Sequence, residues 1–344
     1  MNRSRTYTSV LIVPTLLLLL CASCGQRSDF FKFDGRAQGT FYSVQYFDPQ
    51  HRSLQHQIDS LLLDFDRAVS LWVDSSNLNR LNRGDDNLLF PVTADIFEKS
   101  LYVNSLTGGA FDCRVGSLVN AWGFGAKNGT SPDSTTIDSL LLICRSAVGI
   151  TCQDPSGKKL LWRADPRTEI DFNAIAQGYS VDLVARYLDS LGISDYLIDI
   201  GGEVIARGHK KGGLPWVVGI EKPADNRYSA PEVMQAVELR DAALVTSGNY
   251  RKYYEKDGVR YSHTIDPATG YPVNHSLLSV TVIDSTSWRA DALATAFMVM
   301  GLDSALRFLD KHPVTPYVYF IYDDNGQYGT YATPSFEKLI SKQD

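Results

Sequence analysis

Two rhythms of apolar and polar positions run along this chain. Residues 39–47 (GTFYSVQYF) crowd aromatic and β-branched side chains together as a strand does, and residues 28–35 before them read as a short tether. Leu54, Ile58, Leu61, Leu62, Phe65, Val69 and Trp72 then recur at helical spacing and predict one long amphipathic helix. It gives way at residues 74–82 (DSSNLNRLN), a polar stretch suited to turns and caps. A second helix is expected from a Thr93 cap through Leu106, stopped by Gly108 and Gly109. Residues 110–125 form a short helical segment ending in an aromatic-glycine turn. Residues 129–135 are a polar linker, and 137–144 a further helix.

Residues 168–192 read as a short strand turning into a helix. Val181, Val184, Leu188 and Leu191 keep helical spacing, and Gly192 stands where the helix would stop. Two strands flank Gly201-Gly202, and WVVGIEKP, MQAVELRDAALVTSG, VRYSHTID and LLSVTVID continue as strands with turns. Residues 290–301 are a helix whose Leu293, Ala296, Phe297 and Met300 mark one apolar face; another helix ends at Leu309, and VYFIY (318–322) is the final strand. Helices and strands interleave without the regular alternation of a doubly wound sheet. The expected class is therefore α+β, with mixed, largely antiparallel sheets and helices packed on them. No fixed-period repeat points to a solenoid or propeller.

The 344 residues suggest about two domains, or two intimately packed lobes, and 44% hydrophobic content is enough for a full core. Thirty-three basic against 39 acidic residues leave a net charge of −6, without the basic stripe of a non-specific nucleic-acid binder, so no nucleic-acid partner is expected. The amino terminus changes the picture more. Arg3 and Arg5 precede an apolar run over residues 10–20, shorter than the ~20 residues of a membrane span. A basic start, a short apolar middle and a small-residue end describe an export signal over residues 1–24. Cys24, preceded by Ala22 and Ser23, is the better lipid acceptor; Cys21 has leucines in front. Ordinary cleavage with release, or an uncleaved anchor, are the competing readings. Cys113, Cys144 and Cys152 remain in the mature region of residues 25–344. They permit at most one internal disulfide, Cys144 with Cys152 being one option and three buried apolar thiols the other.

The candidate chemistry gathers in the last third. Asp291 and Thr295 lie four apart on the predicted helix, which stacks a carboxylate and a hydroxyl one turn above each other. YSHTIDPATGYP (261–272) brings His263 and Asp266, closed by a turn at Ala268-Thr269-Gly270. Oxygen ligands beside a histidine loop suit a hard cation and a phosphorylated ligand. Asp171 and Asn173 precede the helix carrying Gln177, whose amino terminus is a place for an anion; either residue is equally a cap. Trp72 and Trp122 could sandwich a planar ring or sit in the core. Neither GxGxxG nor GxxxxGK[ST] occurs.

GTFY at Gly39, SSNLNRLN at Ser75, FDCRVGSLVNAWGFG at Phe111, DFNAIAQGYSVD at Asp171, IDIGGEV at Ile198, TSGNYRKYY at Thr246, YSHTIDPATGYP at Tyr261 and ADALATA at Ala290 occur in this order. Together they resemble the ApbE family of FAD:protein FMN transferases, formerly described as thiamine-biosynthesis lipoproteins, across nearly the whole mature chain. The resemblance implies an ApbE-like, T-fold-like architecture and a Mg²⁺-dependent reaction. FAD is split at its pyrophosphate, FMN joins a threonine or serine hydroxyl of a partner protein, and AMP leaves. It implies metal ligation by Asp291, Thr295 and the Ala174 carbonyl. Flavin and adenine contacts are implied at Gln38, Trp72, the Ala121-Trp122-Gly123 turn, Asp171, Gln177 and the His263-Thr264-Ile265 strand. His263 is the preferred base and Asp291 its catalytic companion. Relatives often carry lysine at the position of Gln177, methionine at Gln38 and tyrosine at Trp72, so the metal would bear more of the pyrophosphate charge here. The acceptors implied are exported or membrane-bound redox subunits, and the place is the outer face of a bacterial inner membrane, reached by a lipid anchor. An enzyme hydrolysing FAD to FMN and AMP, and a flavin-binding lipoprotein without turnover, are the alternatives.

Overall fold

The fold begins on a hairpin. The computed structural model describes residues 29–127, 131–152, 157–223, 230, 232–249, 253–256, 259–312 and 317–341, and the expected export signal with Cys24 lies outside them. β1 (Asp29–Ala37) pairs antiparallel with β2 (Thr40–Asp48), so the expected tether is an edge strand. Its Phe31 and Phe33, at alternate positions, lean on the core. Only Gln38 and Gly39 join the strands, at φ 54° and 73°; two successive positive φ values are the mark of a type I′ turn.

α1 (Gln55–Val69) buries Ile58, Leu62, Phe65, Ala68 and Val69 and stops short of Trp72. The polar stretch expected as turns holds a short helix, α2 (Asn77–Arg83). The Ser76 hydroxyl accepts from the Asn79 N–H there, and Leu78 and Leu81 are buried. α3 (Pro91–Leu106) starts ahead of the expected Thr93 cap. Pro91 opens the helix, and Thr93 is buried within it, donating to the Ala68 carbonyl at 3.4 Å. α4 (Gly116–Ala121) and α5 (Ser134–Cys144) fall where expected, and an unforeseen hairpin follows, β3 (Val148–Cys152) with β4 (Lys159–Arg163).

The strand expected before α6 (Ala176–Ser190) does not form. Residues 168–175 join no sheet, because other groups take their backbone polar atoms. The Asn82 amide brackets Ile170 on both its N–H (2.9 Å) and its carbonyl (2.8 Å), and the Asp171 N–H donates to the Cys113 carbonyl at 2.7 Å. β5 (Tyr196–Ile200) and β6 (Glu203–Arg207) flank Gly201-Gly202, followed by β7 (Trp216–Glu221), β8 (Val233–Leu239), β9 (Ala242–Gly248), β10 (Tyr253–Lys256), β11 (Val259–Ser262) and β12 (Leu277–Asp284). After α7 (Ser287–Met300) and α8 (Leu302–Lys311), β13 (Tyr317–Asp324) is not the last strand: β14 (Gln327–Ala332) turns back onto it.

Eight strands form one sheet in the order β1-β2-β5-β6-β9-β12-β13-β14, antiparallel at every pairing. The expected α+β class is what the chain adopts. Period-two alternation sorts side chains between the two faces. Val318 and Phe320 of β13 meet α7 and α8 on one face, whereas Tyr319 and Ile321 meet Trp216, Val237 and Phe336 on the other. Towards β2 and β5, α1 and α6 cover Val44, Tyr46 and Ile198.

α7 is more deeply sunk than its one predicted face. Ala290, Ala292, Leu293, Ala294, Ala296, Phe297 and Met298 are all buried, because the alanines let the sheet and α6 close on it from two sides. Cys113 and Cys144 are free and buried, as the apolar-thiol reading has it, and burial pushes the Cys144 thiol up to about 11. The Cys152 side chain lies outside the described residues. Among the described residues no helix is long and apolar enough to cross a membrane.

Candidate active site

α6 and α7 cross in contact, and Gly178 is where they touch. A Cβ at that position would lie 2.5 Å from the Ser287 carbonyl oxygen and 2.8 Å from the Asp291 Cβ, so only hydrogen fits. This closeness lets the Gly178 N–H donate to Asp291 Oδ2 at 2.9 Å. Asp291 is 5% exposed, and the bond fixes the direction of its carboxylate. One turn later the Thr295 hydroxyl lies 3.2 Å from that of Ser247 on β9. A carboxylate and two hydroxyls are thus gathered at the seam between helix and sheet.

The opposite side of α6 leads to the first hairpin. Gln177 Nε2 donates to the Ile200 carbonyl at 2.8 Å, and its amide occupies the space a Gly201 side chain would need, with Nε2 1.8 Å from a Cβ placed there. Gly201 in turn donates its N–H to the Phe41 carbonyl at 2.9 Å. The Ser180 hydroxyl donates to the Gln177 carbonyl at 2.7 Å and lies 3.3 Å from Gln38 Oε1. Gln38 Nε2 is buried without a hydrogen-bond partner, on a residue that lines a cavity of about 400 Å³ with Arg36, Ala37, Gly39, Thr40 and Phe41. The backbone of Gln38 bonds the Asp66 carboxyl, whose pKa burial nevertheless raises. Gln38, Gln177 and Asp291, far apart in sequence, are therefore linked through α6, and Thr295 follows Asp291 by one turn on α7.

A second group stands apart from it. Trp122 is 4% exposed and its indole N–H donates to the Gly270 carbonyl at 2.8 Å, while its ring stacks on Tyr261 at 5.6 Å. The Trp122 indole is thus a core piece, whereas Trp72 is 66% exposed and has no described contact with the other predicted residues. The turn that follows offers backbone instead: Gly123, at φ 78°, and Phe124 donate to the Asn120 and Val119 carbonyls. Ile265 packs in the same cluster, and His263, just beyond β11, meets the Phe124 ring edge-on at 6.4 Å. Asp266 builds its turn rather than a site: its carboxylate accepts from the Ala268 N–H at 2.8 Å and the Thr269 hydroxyl at 3.0 Å.

Residues 171–175 run from the Asp171 N–H, bonded to the Cys113 carbonyl, into α6. Asp171 is buried, accepts from the Asn173 N–H at 2.7 Å, and has its pKa raised to about 6 by burial. Ala174, half-buried, sits in the turn leading into α6. Sequence reasoning passed over Ser180, Asp182 and the Ser247 hydroxyl. Spacing alone held a signal: Asp182 is one helical turn beyond Gly178 and shares its face.

The donor set can be tested against a magnesium ion. Magnesium is usually held by one or two carboxylates, with waters and substrate phosphates completing the shell. One oriented carboxylate, with a hydroxyl one turn along the same helix, matches that habit. Among the described residues no three or more His, Cys, Asp or Glu side chains gather as a metal site, so Asp291 is the one carboxylate in this donor set.

Fold and site together define an α+β protein with an oxygen-donor cluster where two helices cross beside an antiparallel sheet. The chain belongs to the ApbE family, whose sequence profile matches residues 38–319. It is 37% identical over 338 residues to a Vibrio cholerae protein named FAD:protein FMN transferase, spanning 96% of this chain and 99% of that one. The Escherichia coli K12 protein of the same name is 35% identical over 318 residues, covering 89% and 88%. The solved structure of the flavin transferase ApbE from Vibrio cholerae superposes with a TM-score of 0.78 at 32% identity, covering 91% of this chain and 99% of the other.

Proposed function

We propose that this chain is a FAD:protein FMN transferase, moving FMN from FAD to a threonine or serine hydroxyl of another protein and releasing AMP. The observation that carries this is end-to-end likeness to proteins of that name, 37% identity over 96% of the chain, together with the Asp171 and Ala290 motifs meeting where α6 and α7 cross. The acceptor oxygen forms a bond to the FMN phosphorus, the pyrophosphate P–O bond breaks, and the bridging oxygen leaves with AMP. We assign the hydroxyl proton to the His263 imidazole, which the family's histidine motif at residues 261–272 carries. Asp291 and Thr295, with the Ala174 carbonyl, would hold Mg²⁺, which supplies charge neutralisation at the phosphate oxygens. Gln38, Gln177, Asp171, the backbone at Ala121-Trp122-Gly123, Trp72 and Ile265 would bind the dinucleotide on either side.

Export and lipid anchoring through Cys24 belong to this reading, and they rest on the basic, apolar and small-residue pattern of residues 1–24. The acceptors would then be exported or membrane-bound redox subunits. Incubating the mature protein with FAD, Mg²⁺ and a threonine-bearing acceptor domain tests the reaction: covalent flavin fluorescence on the acceptor should appear with stoichiometric AMP. AMP without labelling would make it a hydrolase, and bound FAD with neither product a carrier. Asp291→Ala should abolish both products, and chelation by EDTA should do the same.

A further inference from the structure

The amino terminus of α7 is capped from another helix. Thr286, its own N-cap residue, makes no side-chain capping bond, and no acidic residue stands in the first turn. Asp182 on α6 takes that place. Its Oδ1 accepts from the Ser287 N–H at 3.0 Å and its Oδ2 from the Trp288 N–H at 2.8 Å, so both oxygens meet the positive end of the helix. Asp182 is buried, 5% exposed.

Asp182 and Gly178 lie one turn apart on one face of α6, and they hold residues one turn apart on α7: Ser287 and Trp288 below, Asp291 above. A single contact would let α7 rotate or slide. Two contacts a turn apart set both its rotation and its axial position. The same α6 follows directly on the turn bearing Ala174 and carries Gln177, so this double contact sets how far Asp291 and Thr295 stand from the wall opposite.

We propose that Asp182 is a positioning residue for the cation site, acting through α7 on Asp291; this rests on the transferase reading above. An ordinary helix cap would stabilise α7 from any origin. A positioning residue must cap it from α6, and that difference is measurable.

The experiment uses the full mature chain with FAD and follows Mn²⁺ affinity by electron paramagnetic resonance, beside thermal unfolding. Asp182→Ala and Asp182→Asn should weaken Mn²⁺ binding about 10–100-fold, the usual effect of losing a group that orients a ligand. In transfer assays the variants should need more Mg²⁺ for half-maximal rate while recovering at saturation. Adding Thr286→Asp to Asp182→Ala gives α7 a cap of its own. It should restore the melting temperature but not the Mn²⁺ affinity. Recovery of both, or single variants that bind Mn²⁺ within twofold of the parent, would overturn the positioning role alone. A parent protein that binds no Mn²⁺ with FAD would overturn the cation site itself, and this role with it.

Discussion

Gly178 and Asp291 are joined by a hydrogen bond of 2.9 Å that exists only because Gly178 lacks a side chain. The backbone of one helix thereby aims the carboxylate of another. Gly178→Ala is expected to force α6 and α7 apart and to destabilise the protein by about 1–3 kcal/mol, the usual cost of overpacking. Urea unfolding reads the stability. Mg²⁺-dependent AMP release should fall more than folded fraction alone explains. An alanine variant with parental stability and rate would mean that the crossing is looser than described.

Burial at Asp171 sets a pH dependence. Its pKa is raised to about 6 in the folded chain, above the ordinary carboxylate value, so between about pH 4 and 6 the folded state holds more proton than the unfolded. The sign follows: this group's contribution is most favourable below pH 4 and is lost as pH rises through about 6, a change of roughly 2–3 kcal/mol. Asp171→Asn keeps an acceptor for the Asn173 N–H and removes the titration. Its stability relative to the parent should therefore rise between pH 4.5 and 7.5 in paired denaturant titrations. A constant difference between the two proteins would show that Asp171 does not titrate in that window.

Two tryptophans should part company. Trp72 is 66% exposed, so Trp72→Ala should leave the melting temperature nearly unchanged while weakening FAD binding by about 0.5–1.5 kcal/mol, the value of one aromatic contact. Trp122 donates to the Gly270 carbonyl in a buried cluster, so Trp122→Phe strands that acceptor and should cost about 1–3 kcal/mol of stability. Fluorescence titration with FAD and thermal unfolding separate the two effects. Loss of stability at Trp72, or none at Trp122, would reverse the assignments.

Much of this was legible in local pattern. α1, α5, α6, α7 and the strands β5 to β9, β11 and β12 follow from periods of 3.6 and 2, because each is an amphipathic or buried element whose own residues carry the signal. Two misreadings were decided by pairing. Residues 29–37 form a strand because β2 lies beside them, and 168–175 do not because Asn82 occupies the backbone groups of Ile170. Neither a facing strand nor an amide 88 residues away shows in a segment's own periodicity.

The order of motifs, the α+β class and the identity of the chemically able side chains, Asp291, Thr295, His263 and Asp171 among them, were set by the sequence by itself. Which of these meet was decided only by the tertiary structure. It turned Trp122 inward to Gly270, put Ser247 against Thr295, and brought Asp182 to the head of α7. The physical reason is range: side-chain type and spacing act within a few turns, whereas a cap lent by one helix to another exists only once both are packed on the same sheet.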